Sequence, residues 1–212
     1  MAFQSIWYYT NLPQKVIDSI EEDVERYFDP LLDSSRIGGG YNNGLDTDVR
    51  NAKNSWIPTT HWVSGFLWHY VEKANKENFL YDLTGVDGEQ LQYTVYGPGE
   101  HYKWHNDMGL SGYIKPQSGG NNRSDPNTIA NDFVATNCES IRKLSFSLQL
   151  SEADSYEGGQ FQLLDETGRS YIAPRHRGTL IIFDSRSMHR VRPVTNGVRK
   201  SIVGWCVGPR WK

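Results

Sequence analysis

Hydrophobic positions near the start of the chain recur at the spacing of an amphipathic helix. The first such stretch covers residues 16–28, where apolar side chains return every third or fourth position. Asn11 precedes it as a predicted cap, Pro13 suits a first helical turn, and Asp29-Pro30 ends the pattern. These features predict one amphipathic helix close to the N-terminal end.

A second helical pattern begins at Thr59 or Thr60, and its broad apolar face extends over residues 62–74. The intervening residues 31–58 are rich in Gly, Asn and Asp, which predicts a loop with an extended piece around Trp56. The first part of the chain is therefore expected to be mainly helical.

From Leu91 onward, apolar and polar residues alternate with the period of two that is typical of strands. The alternating segments are 91–97, 142–151, 160–164, 178–184, 189–194 and 199–207. Helices followed by a run of strands favour a helical layer packed outside an antiparallel sandwich or barrel. The predicted fold class is mostly β with N-terminal helices.

Residues 108–140 interrupt this pattern because they are polar and rich in Gly and Asn. A long insertion in a compact domain is typical of a lid, a binding loop or a disordered segment. We expect this insertion and the Gly-rich loop 36–50 to flank the mouth of a pocket and to become ordered when a substrate binds.

The strand predicted over residues 143–150 has two different faces. One face is apolar and the other carries neutral polar groups, Ser145, Ser147 and Gln149. Two interpretations remain open at this point. The polar face either meets water, or it lines a small pocket while the apolar face meets the helices.

Composition and charge exclude several classes of function. The chain has 212 residues and a formal net charge of −3, so charge does not indicate nucleic-acid binding. Cys138 and Cys206 are too few for a disulfide framework and lack metal-site spacing. Residues 1–10 contain no apolar leader, and no apolar stretch approaches the roughly 18 residues that span a bilayer. We predict a cytoplasmic protein with no membrane or nucleic-acid partner.

The candidate chemistry lies in a His-x-Asp pair, His105 and Asp107. Side chains at positions i and i+2 of an extended segment point the same way, so both can bind adjacent corners of one metal ion. His189, which follows the predicted strand over 178–184, is the candidate third ligand. Two histidines and one carboxylate form the ligand set of non-haem Fe(II) sites that activate dioxygen.

The residues after His189 contain a hairpin signal, Thr195-Asn196-Gly197. A three-residue loop places Pro193 opposite Arg199 and directs Arg199 toward the metal. A two-residue loop directs Lys200 there instead, and alternation alone does not choose between these registers. A guanidinium in this place would hold a carboxylate through two parallel hydrogen bonds, which suits an organic diacid.

Three segments resemble the motifs of the prolyl 4-hydroxylase-like Fe(II)/2-oxoglutarate dioxygenases, and of their bacterial PKHD-type members in particular. The first is Tyr96-Gly97-Pro98-Gly99-Glu100-His101-Tyr102-Lys103-Trp104-His105-Asn106-Asp107. The second is Leu150-Ser151-Glu152-Ala153-Asp154-Ser155-Tyr156-Glu157-Gly158-Gly159-Gln160-Phe161. The third, from His189 to Ser201, matches the closing motif His-x-Val-x-Pro-Val-x-x-Gly-x-Arg-x-Ser throughout. The matches span residues 91–207 in the family's order.

The resemblance implies a double-stranded β-helix, or jelly roll, supported by helices. It implies one domain over 1–212, with a mainly helical support region over 1–90 and the jelly-roll core over 91–212. It also implies the following roles: His105, Asp107 and His189 as catalytic Fe(II) ligands, Arg199 as the partner of the distal carboxylate of 2-oxoglutarate, Tyr96, Gln149 and Ser145 as further co-substrate contacts, and Tyr102 near the substrate.

The implied reaction consumes dioxygen and 2-oxoglutarate, releases succinate and carbon dioxide, and hydroxylates a C–H bond of a substrate. Peptidyl proline is the first candidate substrate, a peptide or protein is the candidate partner, and ascorbate is a candidate accessory cofactor. The alternatives are a cupin-like metal enzyme that does not use 2-oxoglutarate and a non-catalytic jelly-roll binding module. A nucleobase demethylase is disfavoured because Trp205 stands where such relatives carry a second arginine.

Overall fold

A computed structural model describes residues 7–34, 47–108 and 140–211. These residues form two α-helices, α1 (Gln14–Tyr27) and α2 (Trp62–Ala74). Their strands are β1 (Trp7–Asn11), β2 (Asp33–Ser34), β3 (Arg50–Asn51), β4 (Lys53–Pro58), β5 (Gly85–Val86), β6 (Gln90–Tyr96), β7 (His101–His105), β8 (Ser140–Gln149), β9 (Tyr156–Gly158), β10 (Phe161–Leu164), β11 (Ser170–Ile172), β12 (Thr179–Asp184), β13 (His189–Val191), β14 (Val194–Gly197) and β15 (Arg199–Pro209).

The strands form two sheets and one short ribbon. The major sheet has the order β1-β12-β8-β15-β6-β4-β2, with β5 paired to β15. The minor sheet has the order β11-β10-β13-β7-β3, and β14 pairs with β9. The pairings between these strands are antiparallel. The mostly β class with supporting helices is therefore confirmed.

The first helix lies where the apolar spacing predicts it, but its cap differs from the prediction. Pro13, rather than Asn11, immediately precedes α1, and no side chain caps its N-terminal end. Asn11 belongs to β1, where its Oδ1 accepts a hydrogen bond from the Thr179 hydroxyl at 2.8 Å. The second helix starts at Trp62, later than predicted, because the His61 side chain accepts a hydrogen bond from the Val63 amide.

The helices cover one face of the major sheet with an apolar core. Ile17, Ile20 and Val24 of α1 and Val63, Leu67 and Val71 of α2 are buried in this core. The sheet contributes alternate residues of its central strands, including Leu144, Phe146, Leu148, Leu180, Ile182 and Ile202. Burial of these side chains supplies the main driving force for docking the two layers.

A second, smaller core lies between the two sheets. It includes Phe161 and Leu163 of β10, Val191 of β13, and Ile181 and Phe183 of β12. The polar face of β8 turns toward this inter-sheet side, and it is buried. This finding decides the question that alternation left open, because Ser145, Ser147 and Gln149 do not meet water.

Most of the predicted strands are confirmed, and several further strands were not predicted. β1 and β7 were missed; β1 forms an edge of the major sheet, and β7 lies inside the minor sheet. The extended piece predicted around Trp56 is β4. The first ninety residues therefore supply sheet strands as well as helices, because long-range pairing with β12 and β6 stabilises segments whose local alternation is weak.

The Cys206 thiol is free and buried, and Cys138 lies outside the described residues. Among the described residues, no helix combines the length and the apolar character that crossing a bilayer requires.

Candidate metal and co-substrate site

Two histidines face each other across neighbouring strands of the minor sheet. His105 of β7 is the pairing partner of His189 of β13, and their ring centroids lie 4.1 Å apart. The Nδ1 atom of each ring lies near a backbone carbonyl two residues earlier, at 2.8 Å from Lys103 O and at 2.9 Å from Ser187 O. A carbonyl only accepts, so each Nδ1 carries a proton, and in the neutral ring this leaves Nε2 as the atom that can bind a metal.

Asp107 completes a cluster of three metal-binding groups. Its Oδ2 lies 3.3 Å from His189 Nε2, and its Oδ1 lies 3.8 Å from His105 Nε2. One ligand atom from each of the three residues lies within 4.8 Å of the others. The Asp107 amide donates to Ser185 O at 2.9 Å, which holds the chain where it leaves β7. The structure thus brings the three predicted ligands together in a two-histidine, one-carboxylate set that suits Fe(II).

The charge of Asp107 favours a cation at the cluster, and it outweighs burial to raise the pKa of His189. Burial, and then the neighbouring His189, lower the pKa of His105 to about 3, so its imidazole is neutral at physiological pH. Burial alone would raise the pKa of Asp107, but His189 and His105 outweigh it and hold that pKa below its usual range. A neutral imidazole and an ionised carboxylate are the forms that ligate a metal.

Aromatic rings enclose the histidines. Phe161 and Phe183 pack on the His189 ring with centroid distances of 5.7 Å and 4.8 Å. Tyr102 stacks on the His105 ring at 3.5 Å. Tyr102, predicted near the substrate, therefore lies directly beside the candidate metal ligands. These contacts limit the access of water and lock the orientation of the rings.

Arg199 lies on β15 and is only 1% exposed. Its Nη1 donates to the Ser201 hydroxyl at 3.3 Å, its Nη2 donates to the Gln149 side-chain carbonyl, and its Nε has no hydrogen-bond partner. The Tyr96 ring lies 5.5 Å from the guanidinium carbon. No ion pair between described residues includes this arginine. A buried guanidinium in this state fits an anionic ligand.

Lys200 points the other way, and its ammonium pairs with Glu25 of α1 at 2.8 Å. The hairpin used to predict this register is wrong, because β14 pairs with β9 and does not pair with β15. Arg199 faces the inter-sheet side through the pairing of β15 with β6 and β8. The predicted three-residue loop therefore indicated the correct side chain, Arg199, although the hairpin pairing behind that prediction does not form.

The two remaining predicted contacts lie in different parts of the site. Gln149 bridges Arg199 to a residue that the sequence did not single out, since its amide nitrogen donates to the Tyr156 hydroxyl at 3.0 Å. The Ser145 hydroxyl lies 2.9 Å from the Ser185 hydroxyl, and it helps to hold the pKa of Asp107 below its usual range. The middle motif indicates the family but gives no separate signal for Tyr156, whose part in the site depends on its tertiary contact with Gln149.

The polar insertion predicted over 108–140 and the Gly-rich loop predicted over 36–50 fall largely outside the described residues, which omit 109–139 and 35–46. Arg50, the last residue of that predicted loop, and Asp107, directly before the predicted insertion, are both described and lie at the site.

Comparison with known proteins agrees with this arrangement. A family model described as the 2OG-Fe(II) oxygenase superfamily matches residues 91–207. A PKHD-type hydroxylase of Picosynechococcus sp. is 34% identical over 142 residues, which cover 66% of this chain and 52% of that protein. A PKHD-type hydroxylase of Parvibaculum lavamentivorans is 40% identical over 62 residues, covering 29% of this chain and 28% of that protein. The chain thus aligns with about half or less of these relatives' lengths.

Solved structures share the fold. A Pseudomonas putida prolyl-4-hydroxylase superposes with a TM-score of 0.65 at 19% identity, covering 96% of this chain and 92% of that one. A Trichoplax adhaerens prolyl hydroxylase, solved with a peptide fragment of hypoxia inducible factor, gives 0.66 at 18% identity, covering 94% and 82%. The family match includes both histidines, Asp107 and Arg199, and with this fold around them the chain belongs to the 2OG-Fe(II) oxygenase superfamily.

Proposed function

We propose that the protein is an Fe(II)- and 2-oxoglutarate-dependent dioxygenase that hydroxylates a C–H bond of a substrate. The observation that carries this proposal is the combination of two groups in one jelly roll. The first is the set of three metal-binding side chains. The second is the buried Arg199 guanidinium, which has no carboxylate partner among the described residues. The first group fits Fe(II) and the second fits the distal carboxylate of a diacid. Membership of the superfamily supports the same assignment.

His105, Asp107 and His189 would hold the iron, and Arg199 would anchor 2-oxoglutarate. Iron and 2-oxoglutarate together supply the oxidising chemistry, with succinate and carbon dioxide as by-products. The chain's own part is to position these groups: the Lys103 and Ser187 carbonyls orient the imidazoles. Tyr96, Gln149 and Ser145 are the proposed further co-substrate contacts, and ascorbate is a proposed accessory reductant.

Exclusion of water is the second contribution of the chain. The Phe161 and Phe183 rings cover His189, and Tyr102 covers His105. A dry, preorganised site strengthens the charge interactions that hold the ligands. We assign Tyr102 to the substrate side, because its ring lies against a metal ligand and is not fully buried.

Peptidyl proline is the first candidate for the primary substrate. The names of two structural neighbours support this choice, since both are prolyl hydroxylases and one of them was solved with a peptide fragment. We further propose that the chain acts as one domain over 1–212, in the cytoplasm, without a nucleic-acid or membrane partner. A cupin-like enzyme that does not bind 2-oxoglutarate would not explain the buried, unpaired charge of Arg199. A non-catalytic module would not explain the three metal-binding side chains.

A screen of proline peptides and free amino acids for substrate-stimulated succinate release tests the proposal. The expected result is succinate formation that requires both Fe(II) and 2-oxoglutarate and that rises with one class of substrate. A protein that binds metal but never converts 2-oxoglutarate would instead support the cupin-like alternative. Failure to bind a divalent metal at all would support the non-catalytic module.

A further inference from the structure

Two arginines of the described residues are almost fully enclosed, Arg50 at 8% exposure and Arg199 at 1%. The Nε atom of each is buried without a hydrogen-bond partner. No ion pair between described residues includes either one. A buried charge without a counter-charge is costly, so both positions suit an anionic group that arrives with a ligand.

Arg50 lies beside the metal cluster. It belongs to β3, the edge strand of the minor sheet, and pairs with Tyr102 of β7. Its guanidinium carbon lies 4.8 Å from the centroid of the Tyr102 ring, and that ring stacks on His105. A single aromatic ring therefore links this guanidinium to a metal ligand.

Arg50 and Arg199 occupy different parts of the site. Arg199 lies on the major sheet and makes its contacts with Tyr96, Gln149 and Ser201. Arg50 lies on the minor sheet and contacts Tyr102 instead. In the proposed function Arg199 would bind the distal carboxylate of 2-oxoglutarate, and the metal would bind the opposite, keto-acid end. An anionic group that binds Arg50 would then belong to the primary substrate.

We propose that Arg50 binds a carboxylate of the primary substrate beside the metal centre, so that the protein selects an anionic substrate. This inference rests on the proposed function and narrows its substrate class. The carboxylate has two sources, an acidic side chain of a peptide or the terminal carboxylate of a small molecule. A guanidinium binds either through two parallel hydrogen bonds, which orients the substrate as well as holding it.

Paramagnetic relaxation in the Mn(II)-loaded, 2-oxoglutarate-saturated protein tests the proposal without turnover. The probes for the first source are N-acetyl-aspartate amide and its neutral counterpart N-acetyl-asparagine amide. The probes for the second source are N-acetylproline and its amide. Proton relaxation of each acetyl methyl group reports binding near the metal, because enhancement by Mn(II) falls steeply with distance. Isothermal titration measures Mn(II) and 2-oxoglutarate binding separately.

We expect Mn(II) to enhance the methyl-proton relaxation of at least one of the two carboxylate probes. The enhancement for the corresponding neutral amide should be at least fivefold smaller. Arg50→Gln should remove this difference, while Arg26→Gln should keep it. Arg26 is a matched control because its guanidinium also lies over a tyrosine ring, Tyr27 on the exterior of α1, at 5.3 Å. The acid that shows the effect identifies the source of the carboxylate.

Three results would overturn the inference: no enhancement with either acid, equal enhancement with acids and amides, or an Arg50→Gln protein that behaves like the parent. Weaker 2-oxoglutarate binding by Arg50→Gln would also overturn it, since Arg50 would then serve the co-substrate. Failure of the parent protein to bind Mn(II) and 2-oxoglutarate would instead refute the proposed function, so the two failures are distinguishable.

Discussion

The candidate metal ligands owe their orientation to hydrogen bonds with backbone carbonyls. Each imidazole binds a carbonyl two residues earlier, and Asp107 is tied to Ser185 through its backbone amide. Outer contacts of this kind set the tautomer and the direction of the lone pair. The geometry of the site is therefore built into β7, β13 and the turn after β12.

His189→Ala should abolish succinate formation and weaken Mn(II) binding by more than about 100-fold, because one of three ligands is removed. His189→Gln, which keeps a polar side chain of similar size, serves as a second variant if the alanine protein folds poorly. Mn(II) titration and far-ultraviolet circular dichroism are the measurements. Unchanged turnover in a folded variant would remove His189 from the metal site.

Arg199→Ala should raise the dissociation constant of 2-oxoglutarate by about 100-fold or more, since a buried charged contact is lost. Mn(II) affinity should change little, because Arg199 is not one of the cluster's ligands. Lys200→Ala is the matched control: it removes the neighbouring basic side chain, which pairs with Glu25 outside the site. Equal losses of metal and 2-oxoglutarate affinity would count against the assigned role.

At the scale of elements, β15 is the strand that carries Arg199 and joins the strands on either side of it. It pairs with β6 on one side and β8 on the other, and its alternate residues face the helical core and the inter-sheet side. Its helix-facing side includes Gly204, where an added Cβ would lie 2.4 Å from Phe146 Cζ and 2.8 Å from Leu91 Cδ2. Close packing at this position thus requires the absence of a side chain.

Gly204→Ala should lower the free energy of unfolding by about 1–3 kcal/mol, because the extra methyl group overpacks the core. Gly65→Ala is the control, since Gly65 lies within α2 and an added Cβ meets nothing within 4 Å. That change should raise the free energy of unfolding by about 0.5–1 kcal/mol through helix propensity. Urea denaturation measures both, and a neutral Gly204→Ala would show that the sheet and helices adjust without cost.

At the scale of the whole molecule, one arginine joins the helical layer to the β-core. Arg177 donates to Leu150 O at 3.1 Å and to the Gln14 side-chain carbonyl at 2.9 Å, and it pairs with Asp18 and Glu21 of α1. Its side chain is 11% exposed, so these contacts are partly shielded from water. Hydrogen bonds to charged groups in such places are stronger than surface ion pairs.

Arg177→Ala should lower the free energy of unfolding by about 1–3 kcal/mol. The loss should shrink as salt is added, because part of the attraction is between charges near the surface. Arg169→Ala removes an 82% exposed arginine that pairs with Asp165 within its own turn, and it should change stability by less than about 0.5 kcal/mol. Thermal and urea unfolding at two salt concentrations check both values.

Several features of the fold were predictable because they depend on local pattern. The helix over residues 16–28 and the strands containing Leu144 and Ile182 follow from periodicity, since their apolar faces are continuous in sequence. The His-x-Asp pair and the residues after His189 were identifiable because their chemistry is carried by short motifs. β1 was not predictable, because its pairing partner β12 lies far along the chain.

The sequence by itself determined the class of fold, the family and the candidate ligand set, because periodicity and short motifs are properties of neighbouring residues. Alternation left Arg199 and Lys200 open and the family motif favoured Arg199, whereas only the tertiary structure decided that the polar face of β8 is buried and that Arg50 lies beside Tyr102. Each of these depends on which distant strands pair, and strand pairing is set by the burial of both faces of a sheet at once.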